Sequence, residues 1–536
     1  MHIPGPRIAV IGAGWAGLTC ARLLQDRGIA VRLFEATRQL GGRARGLDID
    51  LNGDILKLDN GQHLVIGAYR CLRGLLARYS NEQHHTFRPP DFMIRELVRN
   101  KAQSRFPRLA APPHLSSSAA QHERRMFMGQ ATWVQGIQAG FTRQAMASLE
   151  PGRTLALGLA QLSWLAGARA MPFQSLIELA MLLRRAYRHP PRASCSLDEW
   201  LDGLRLRQAL VRRWVDALCE SALNCPSDQA CALRFTTVLN EAMANPQLDA
   251  SHWMHQRCDL GELLALPLAR GRPESKHDPQ FGPLDIRRGA RVLSMASKPV
   301  FQHVEQSAGS WWLELAGQET LDGPYEHIVL ALEPQRALAL TQQSLAYAAS
   351  TPHRHRAIQQ GLERLQDDLR ALPKPLGILT RWLCLPKPTE AAQVKPQLLL
   401  RDRGPAAWLF PNQRDVVDGV QQASKASRTA GLVISAQHDA IEARRQADEI
   451  QRQFGIQAID YKDIYEHHAA TPSRFGLHWP PFNRFSDQGI WLAGDWIADG
   501  SQDMLPACLE SALRSATACA TALGARFQDA HSASSA

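Results

Sequence analysis

Gly12, Gly14 and Gly17 form a Gly-x-Gly-x-x-Gly run, a spacing that brings bare backbone amides to a phosphate. The first glycine permits a tight turn, the second lets the backbone approach a pyrophosphate, and the third allows a helix to pack closely on a strand. Trp15 and Ala16, between them, belong to a helix N-terminus that faces the phosphates. Glu35 lies 23 residues beyond Gly12. A carboxylate there accepts a ribose 2′-hydroxyl and repels a 2′-phosphate, so the pattern points to FAD or NAD rather than NADP.

Five residues after Glu35 comes Leu40-Gly41-Gly42-Arg43-Ala44-Arg45. A dinucleotide fold does not by itself require a second glycine pair followed by arginine. A long flavin cofactor needs further backbone approach, at Gly42, and a cation near its phosphates, the part assigned to Arg43. Near the opposite end, Trp491-Leu492-Ala493-Gly494-Asp495-Trp496 precedes a helix opening near Leu509. This repeats the arrangement: a strand ends in Gly494-Asp495, and a helix N-terminus then points at a flavin ribityl chain and ring.

These residues require a scaffold. A strand over residues 7–11, the glycine turn, a helix over 15–27 stopped by Gly28, and a strand over 30–34 make one βαβ unit. Residues 81–115 are rich in Arg, His and Pro, including Pro89-Pro90 and Pro112-Pro113, which predicts loops and short strands. Residues 125–250 read as mainly helical. Strand-like runs return at 290–295, 311–315 and 327–332, then at 378–385, 407–410 and 431–436, with a helix over 439–454. A last strand at 489–493 leads into a helix ending near Ala525, and residues 528–536 are expected to form a flexible tail.

Composition removes several function classes. The 536 residues, 45% apolar and 21% charged, have the balance of a globular protein of two or three domains. The ten cysteines contain no Cys-x-x-Cys pair and suit reduced thiols in a cytoplasm. No signal peptide is expected from the few residues ahead of the first strand, and no window offers about 18 uninterrupted apolar residues. Lys and Arg exceed Asp and Glu by 61 − 51, or +10, a balance compatible with nucleic acid, an anionic membrane face or a phosphorylated ligand. The basic residues are mostly isolated arginines without a zinc-finger, RRM or KH signature, so no nucleic acid is expected. His252, His255 and Cys258 recur every three residues and could share a helical face, but no fourth ligand accompanies them and no metal is expected. His84-His85 and His467-His468 read as surface or loop histidines.

Gly-x-Gly-x-x-Gly with Glu35, then Gly-Gly-Arg, then a terminal Gly-Asp before a Glu-x-Ala helix together resemble the flavin amine oxidase and phytoene desaturase superfamily. Within it, Asp59-Asn60-Gly61-Gln62-His63 resembles most closely the squalene-associated FAD-dependent enzymes, the hydroxysqualene dehydroxylases. Ala222-Leu223-Asn224-Cys225-Pro226, Asp259-Leu260-Gly261-Glu262-Leu263, Glu333-Pro334 and Ala470-Thr471-Pro472 match as well. The chain departs from the family at Glu510-Ser511-Ala512 and Arg514-Ser515-Ala516, where glycines are usual, and residues 499–504 look longer than usual.

The resemblance implies an α/β fold: a discontinuous Rossmann-type FAD-binding domain (residues 1–75, 255–335 and 480–527) and a mixed α+β substrate domain (76–254 and 336–479). It adds Gly61, Val292 and Leu509 to the cofactor contacts, Val292 on the adenine side, where a plain core valine is the alternative. It implies reductive dehydroxylation of hydroxysqualene to squalene, a step in hopanoid supply. A carotenoid-type desaturase or amine oxidase is the alternative within the fold, and a non-catalytic flavin- or lipid-binding scaffold is the alternative outside it. The block from Asp59 to His63 approaches the flavin ring in this superfamily. His63, expected to titrate near neutral pH, is therefore the candidate proton donor, with a hydrogen bond to the flavin or the backbone as the alternative, Gln62 orienting the hydroxyl and Asp59 capping the turn. Electrons would come from NADPH or a redox protein, and prenyl synthases of the same pathway are candidate partners. The leucine-rich segments within 155–186 read by themselves as core helices; a long-chain isoprenoid substrate partitions into lipid, and with it these segments and Arg184, Arg185 and Arg188 become a candidate docking face for the inner side of the membrane.

Overall fold

The computed structural model describes residues 7–99, 121–130, 162–243, 249–272, 279–298, 310–350, 356–386, 395–412, 428–501 and 504–534. Parts of the expectations for 81–115, 125–250 and 155–186 lie outside them.

All four residues of β1, Ile8–Ile11, are apolar and buried, an uninterrupted run suited to the middle of a parallel sheet covered on both faces. β1 pairs in parallel with β2, Val31–Glu35, on one side and with His327–Leu330 on the other. Ile490–Leu492 and Asp285–Arg288 complete the two edges, also in parallel. Segments from both ends and the middle of the chain thus form one Rossmann-type sheet. Because the neighbours of β1 lie on opposite sides of it, the carboxyl ends of these strands open a crevice at that switch point.

Every residue of α1, Trp15–Gln25, except Gln25 is buried. It packs on β1 and β2 and against the C-terminal helix Leu509–Ser534, where Cys20 and Cys519 bring their Sγ atoms to 3.9 Å. α1 ends two residues earlier than expected, and Gly28, at φ 77°, turns the chain into β2. The C-terminal helix runs past the expected end, so residues 528–534 continue it instead of forming a flexible tail.

A second, mixed sheet has seven strands in the order Asp460–Ala470, Leu376–Leu385, Arg428–Gln437, Ala407–Pro411, Gln397–Leu400, Asp91–Arg99 and Gln121–Gly129. Val433 on one face joins a core with the helices Phe173–Arg188, Leu197–Leu204, Ala209–Leu223 and Ala232–Met243; Leu432 and Ile434, on the other, pack with Ala443, Ala447 and Ile450 of Ala440–Gln453. This alternation is the period of two of a strand buried on both sides.

Two readings need correction here. Residues 91–99 form a nine-residue strand rather than loops and short strands, and Gln121–Gly129, which overlaps the region read as helical, pairs with it. Their charges hid the pattern: Arg95 pairs with Glu123 at 2.8 Å, and buried Glu96 with Arg213 and Arg124. His255 lies in a strand, Trp253–Gln256, that pairs with His85–Arg88, so the spacing of three gathers no helical face.

Candidate functional site: the glycine crevice and its seam

Gly12 adopts φ 104°, and a Cβ there would stand 2.4 Å from the Ala331 carbonyl oxygen; a Cβ on Gly17 would stand 1.9 Å from that of Gly12. The chain itself demands both glycines, for the turn and for the approach of α1 to the sheet. Gly14 differs. Its φ of −71° suits any residue, and a Cβ would meet only Gly42 Cα, at 3.9 Å. The space beside Gly14 is therefore open, at the start of a helix where no side chain caps the amides of Trp15, Ala16 and Gly17. A glycine that the fold does not need, beside uncapped helix amides, fits a bound anionic group. Trp15 and Ala16 bring their amides here, since both side chains pack into the core, where Trp15 Nε1 has no hydrogen-bond partner among the described residues.

The second glycine pair lies against the first. Gly41 donates its N–H to the Ala13 carbonyl at 2.9 Å, and Gly42, at φ 61°, is so close that a Cβ would stand 3.0 Å from Gly14 Cα. Glu35, at the end of β2, accepts the Ala13 N–H at 2.9 Å on Oε2, and the Thr37 N–H and hydroxyl at 2.9 Å on Oε1. Its carboxylate is thereby fixed beside the glycine turn, as a ribose acceptor requires.

Arg43 ties the N-terminal motif to the C-terminal one. Its Nη2 stands 2.9 Å from Asp495 Oδ1, and its Nη1 donates to the carbonyls of Ala469 and His468 at 2.6 and 3.1 Å. Burial opposes the charge, but Asp495, Glu333 and Glu466 hold the guanidinium above its ordinary pKa. Asp495 is 4% exposed, and apart from that ion pair its Oδ1 receives no aligned hydrogen bond from a described residue. It offers an acceptor to a ribityl hydroxyl. Gly494 is pinned by Ser515, whose hydroxyl accepts its N–H at 3.0 Å and donates to its carbonyl at 2.8 Å. Leu509 is half-buried at the start of the C-terminal helix, while Glu510 accepts the Cys71 and Leu72 N–H groups. Val292 opens the strand Val292–Lys298 and packs against the core containing Ile11, Phe34 and Leu330, which suits a core valine as well as an adenine contact.

The block from Asp59 to His63 lies at the same seam. Asp59 is structural: Leu260 and Gln256 donate to its carboxylate, and Trp382 Nε1 to its carbonyl at 3.1 Å. Asn60 donates from its backbone to the Arg45 carbonyl at 2.8 Å and from Nδ2 to Glu466 at 2.9 Å. A Cβ on Gly61 would find only Thr380 Oγ1 and His63 Nε2, at 3.9 and 4.0 Å, so space is open there too. Gln62 and His63 are half-buried beside it. Burial first, and the Arg43 charge second, push His63 down to about 4. The expectation of titration near neutral pH is therefore corrected: the imidazole is neutral at pH 7.

Three further residues belong to the seam. His468, expected at the surface, sits with Nδ1 3.4 Å from Glu333 Oε2, and burial raises the Glu333 carboxyl above its usual range. Glu333 belongs to the Glu333-Pro334 match and His468 lies two residues before Ala470-Thr471-Pro472, but no spacing in the sequence joins the two. Arg45, two residues beyond Arg43 in the Gly-Gly-Arg run, has a buried Nε without a hydrogen-bond partner among the described residues.

Comparison with known proteins agrees with this geometry. Residues 15–212 match the family model described as flavin containing amine oxidoreductase. Cyclohexylamine oxidase from Brevibacterium oxydans IH-35A shares the fold over 98% of this chain and 100% of its own, with a TM-score of 0.58 at 14% identity. The fold is the α/β fold of FAD-dependent amine oxidase-type enzymes, and fold and family match together support an FAD-dependent oxidoreductase similar to the flavin amine oxidase and desaturase superfamily.

Among curated relatives, the carotenoid phi-ring synthase of Streptomyces griseus is 38% identical over 90 residues, 17% of each chain. A hydroxysqualene dehydroxylase of Sinorhizobium fredii (strain NBRC 101917 / NGR234) is 42% identical over 67 residues, 12% of this chain and 15% of its own. The matches span less than a fifth of the length of either relative.

Proposed function

We propose that this protein is an FAD-dependent oxidoreductase that replaces the hydroxyl of hydroxysqualene by hydrogen, giving squalene and water. The observation that carries the reading is the placement of Gly61 and His63 beside Arg43, whose ion pair with Asp495 joins the N-terminal and C-terminal motifs. The similarity to a hydroxysqualene dehydroxylase supports the choice of substrate.

The residues present fit the cofactor. Backbone at Gly12, Gly14, Trp15, Ala16, Gly17 and Gly42 would hold the pyrophosphate, Glu35 the adenosine ribose, Val292 the adenine side, and Gly494, Asp495 and Leu509 the ribityl chain and ring, with Arg43 and Arg45 as nearby cations. Segments 1–75, 255–335 and 480–527 form the cofactor unit in this reading, and 76–254 with 336–479 the substrate unit.

Bound FAD, once reduced, supplies a hydride equivalent. The C–O bond breaks with its electron pair going to oxygen, and a proton lets the hydroxyl depart as water while the carbon accepts the hydride equivalent. His63 is the proton donor of this reading, and Gln62 orients the hydroxyl. With its pKa at about 4, the imidazolium is a stronger acid than an unperturbed one, but about one molecule in a thousand carries it at pH 7. NADPH visiting the flavin site, or a redox protein, delivers the electrons.

The test is anaerobic incubation of the FAD-loaded, chemically reduced protein with hydroxysqualene, followed by mass spectrometry. Squalene is the expected product. Added conjugated double bonds in a carotenoid substrate, peroxide with aldehyde from an amine, or no turnover of any of these would overturn the assignment in favour of a desaturase, an amine oxidase or a scaffold.

A further inference from the structure

The helix Phe173–Arg188 buries Ser175, Leu179, Leu182, Leu183 and Ala186 against the helical layer. Its opposite face is apolar too. Phe173, Ile177 and Met181, spaced four apart in one row, are 75, 45 and 57% exposed, where a helix on a water-facing surface carries polar side chains. The same side continues into Arg184, Arg185 and Arg188, all exposed, and none forms an ion pair with a described residue. The one carboxylate of the helix, Glu178, turns away and accepts the Arg207 and Gln208 N–H groups at 2.8 and 2.9 Å. The outward face thus carries exposed hydrocarbon and unbalanced positive charge.

We propose that this face docks on an anionic lipid bilayer, with Phe173, Ile177 and Met181 entering the acyl boundary and Arg184, Arg185 and Arg188 meeting lipid phosphates. An apolar row ending in clustered cations matches that boundary, where hydrocarbon lies directly beneath negative head groups. A second copy of the chain fits less well, because its own copy of this face brings no carboxylate to the arginines. Docking is peripheral: no described helix is long and apolar enough to cross a membrane. The proposal stands on the surface alone and holds whatever the substrate proves to be.

The experiment is vesicle flotation of the FAD-loaded full chain, with phosphatidylcholine alone and with about one third phosphatidylglycerol. The protein floats with the anionic vesicles at low salt, less at high salt, and stays behind with phosphatidylcholine. Arg184→Gln with Arg185→Gln lowers the partition coefficient about 30-fold, at roughly fivefold per arginine. Phe173→Ser with Ile177→Ser and Met181→Ser abolishes flotation. Flavin absorbance and melting temperature report that both variants remain folded, as substitutions at exposed positions should. Absence of flotation at low salt overturns the proposal, as does flotation unchanged in either variant. A wild-type dimer that the serine variant converts to a monomer in sedimentation equilibrium also overturns it, in favour of a self-interface.

Discussion

Two glycines three residues apart separate what the fold demands from what the cofactor demands. Gly14→Ala places a methyl where only Gly42 Cα lies, 3.9 Å away, at an ordinary φ of −71°. The apoprotein should therefore keep its stability within about 1 kcal/mol, the lost backbone freedom of the unfolded chain offsetting a weaker helix start. The same methyl fills the space at the uncapped amides of α1. Displacing a pyrophosphate from one or two charge-assisted hydrogen bonds costs about 3 kcal/mol or more, which is about 150-fold in FAD affinity. Gly17→Ala is the control: its Cβ would sit 1.9 Å from the Gly12 carbonyl oxygen, so α1 must lift off the sheet and the apoprotein should lose several kcal/mol. Isothermal titration of both apoproteins with FAD and thermal unfolding without it measure the two effects separately. A Gly14→Ala protein that binds FAD as tightly as the wild type, or that unfolds as readily as Gly17→Ala, refutes the reasoning.

Glu35→Ala should weaken FAD by about 1.5 to 3 kcal/mol, the range for a hydrogen bond to a charged group, with a smaller loss for riboflavin phosphate, which lacks the adenosine; equal losses for both would remove Glu35 from the ribose. Asp59→Ala strands the Leu260 N–H and the Gln256 amide in the core and should cost about 2 to 4 kcal/mol in chemical denaturation; a change under about 0.5 kcal/mol contradicts its structural role. His63, held at about 4 by burial and Arg43, leaves the folded state short of a proton relative to the unfolded chain as pH falls. Apoprotein stability should therefore decline from about pH 6.5 to pH 4, and His63→Gln should flatten that slope. In the proposed reaction the single-turnover rate rises about tenfold per pH unit toward pH 4, and His63→Ala slows it about 100-fold. A rate independent of pH, or unchanged in that variant, assigns the proton to another group.

The glycine half of the candidate site was legible because its geometry is local. Gly12, Gly14, Gly17 and Glu35 act through backbone turns and one βαβ unit, and all four stand within 24 residues. The buried run Ile8–Ile11 announces a central parallel strand for the same reason: four apolar residues in a row have no solvent-facing side. The exposed face of Phe173–Arg188 was half legible. Leucines and arginines could be counted, but only the packed helix shows that Leu179 and Leu182 turn inward while Ile177 and Met181 do not.

The sequence by itself determined the α/β class, the glycine crevice and the placing of the Glu35 carboxylate beside it, since each depends on neighbours in the chain and on steric rules that hold in any context. Tertiary structure alone decided what the charged residues do. Arg43 meets His468, 425 residues away, and Asp495; His63 is driven to about 4 because folding buries it beside that same guanidinium. A strand as charged as Asp91–Arg99 becomes a sheet member only when Glu123, Arg124 and Arg213 arrive to pair its side chains. Electrostatic energy depends on distance and solvent exposure, and neither exists until the chain has folded.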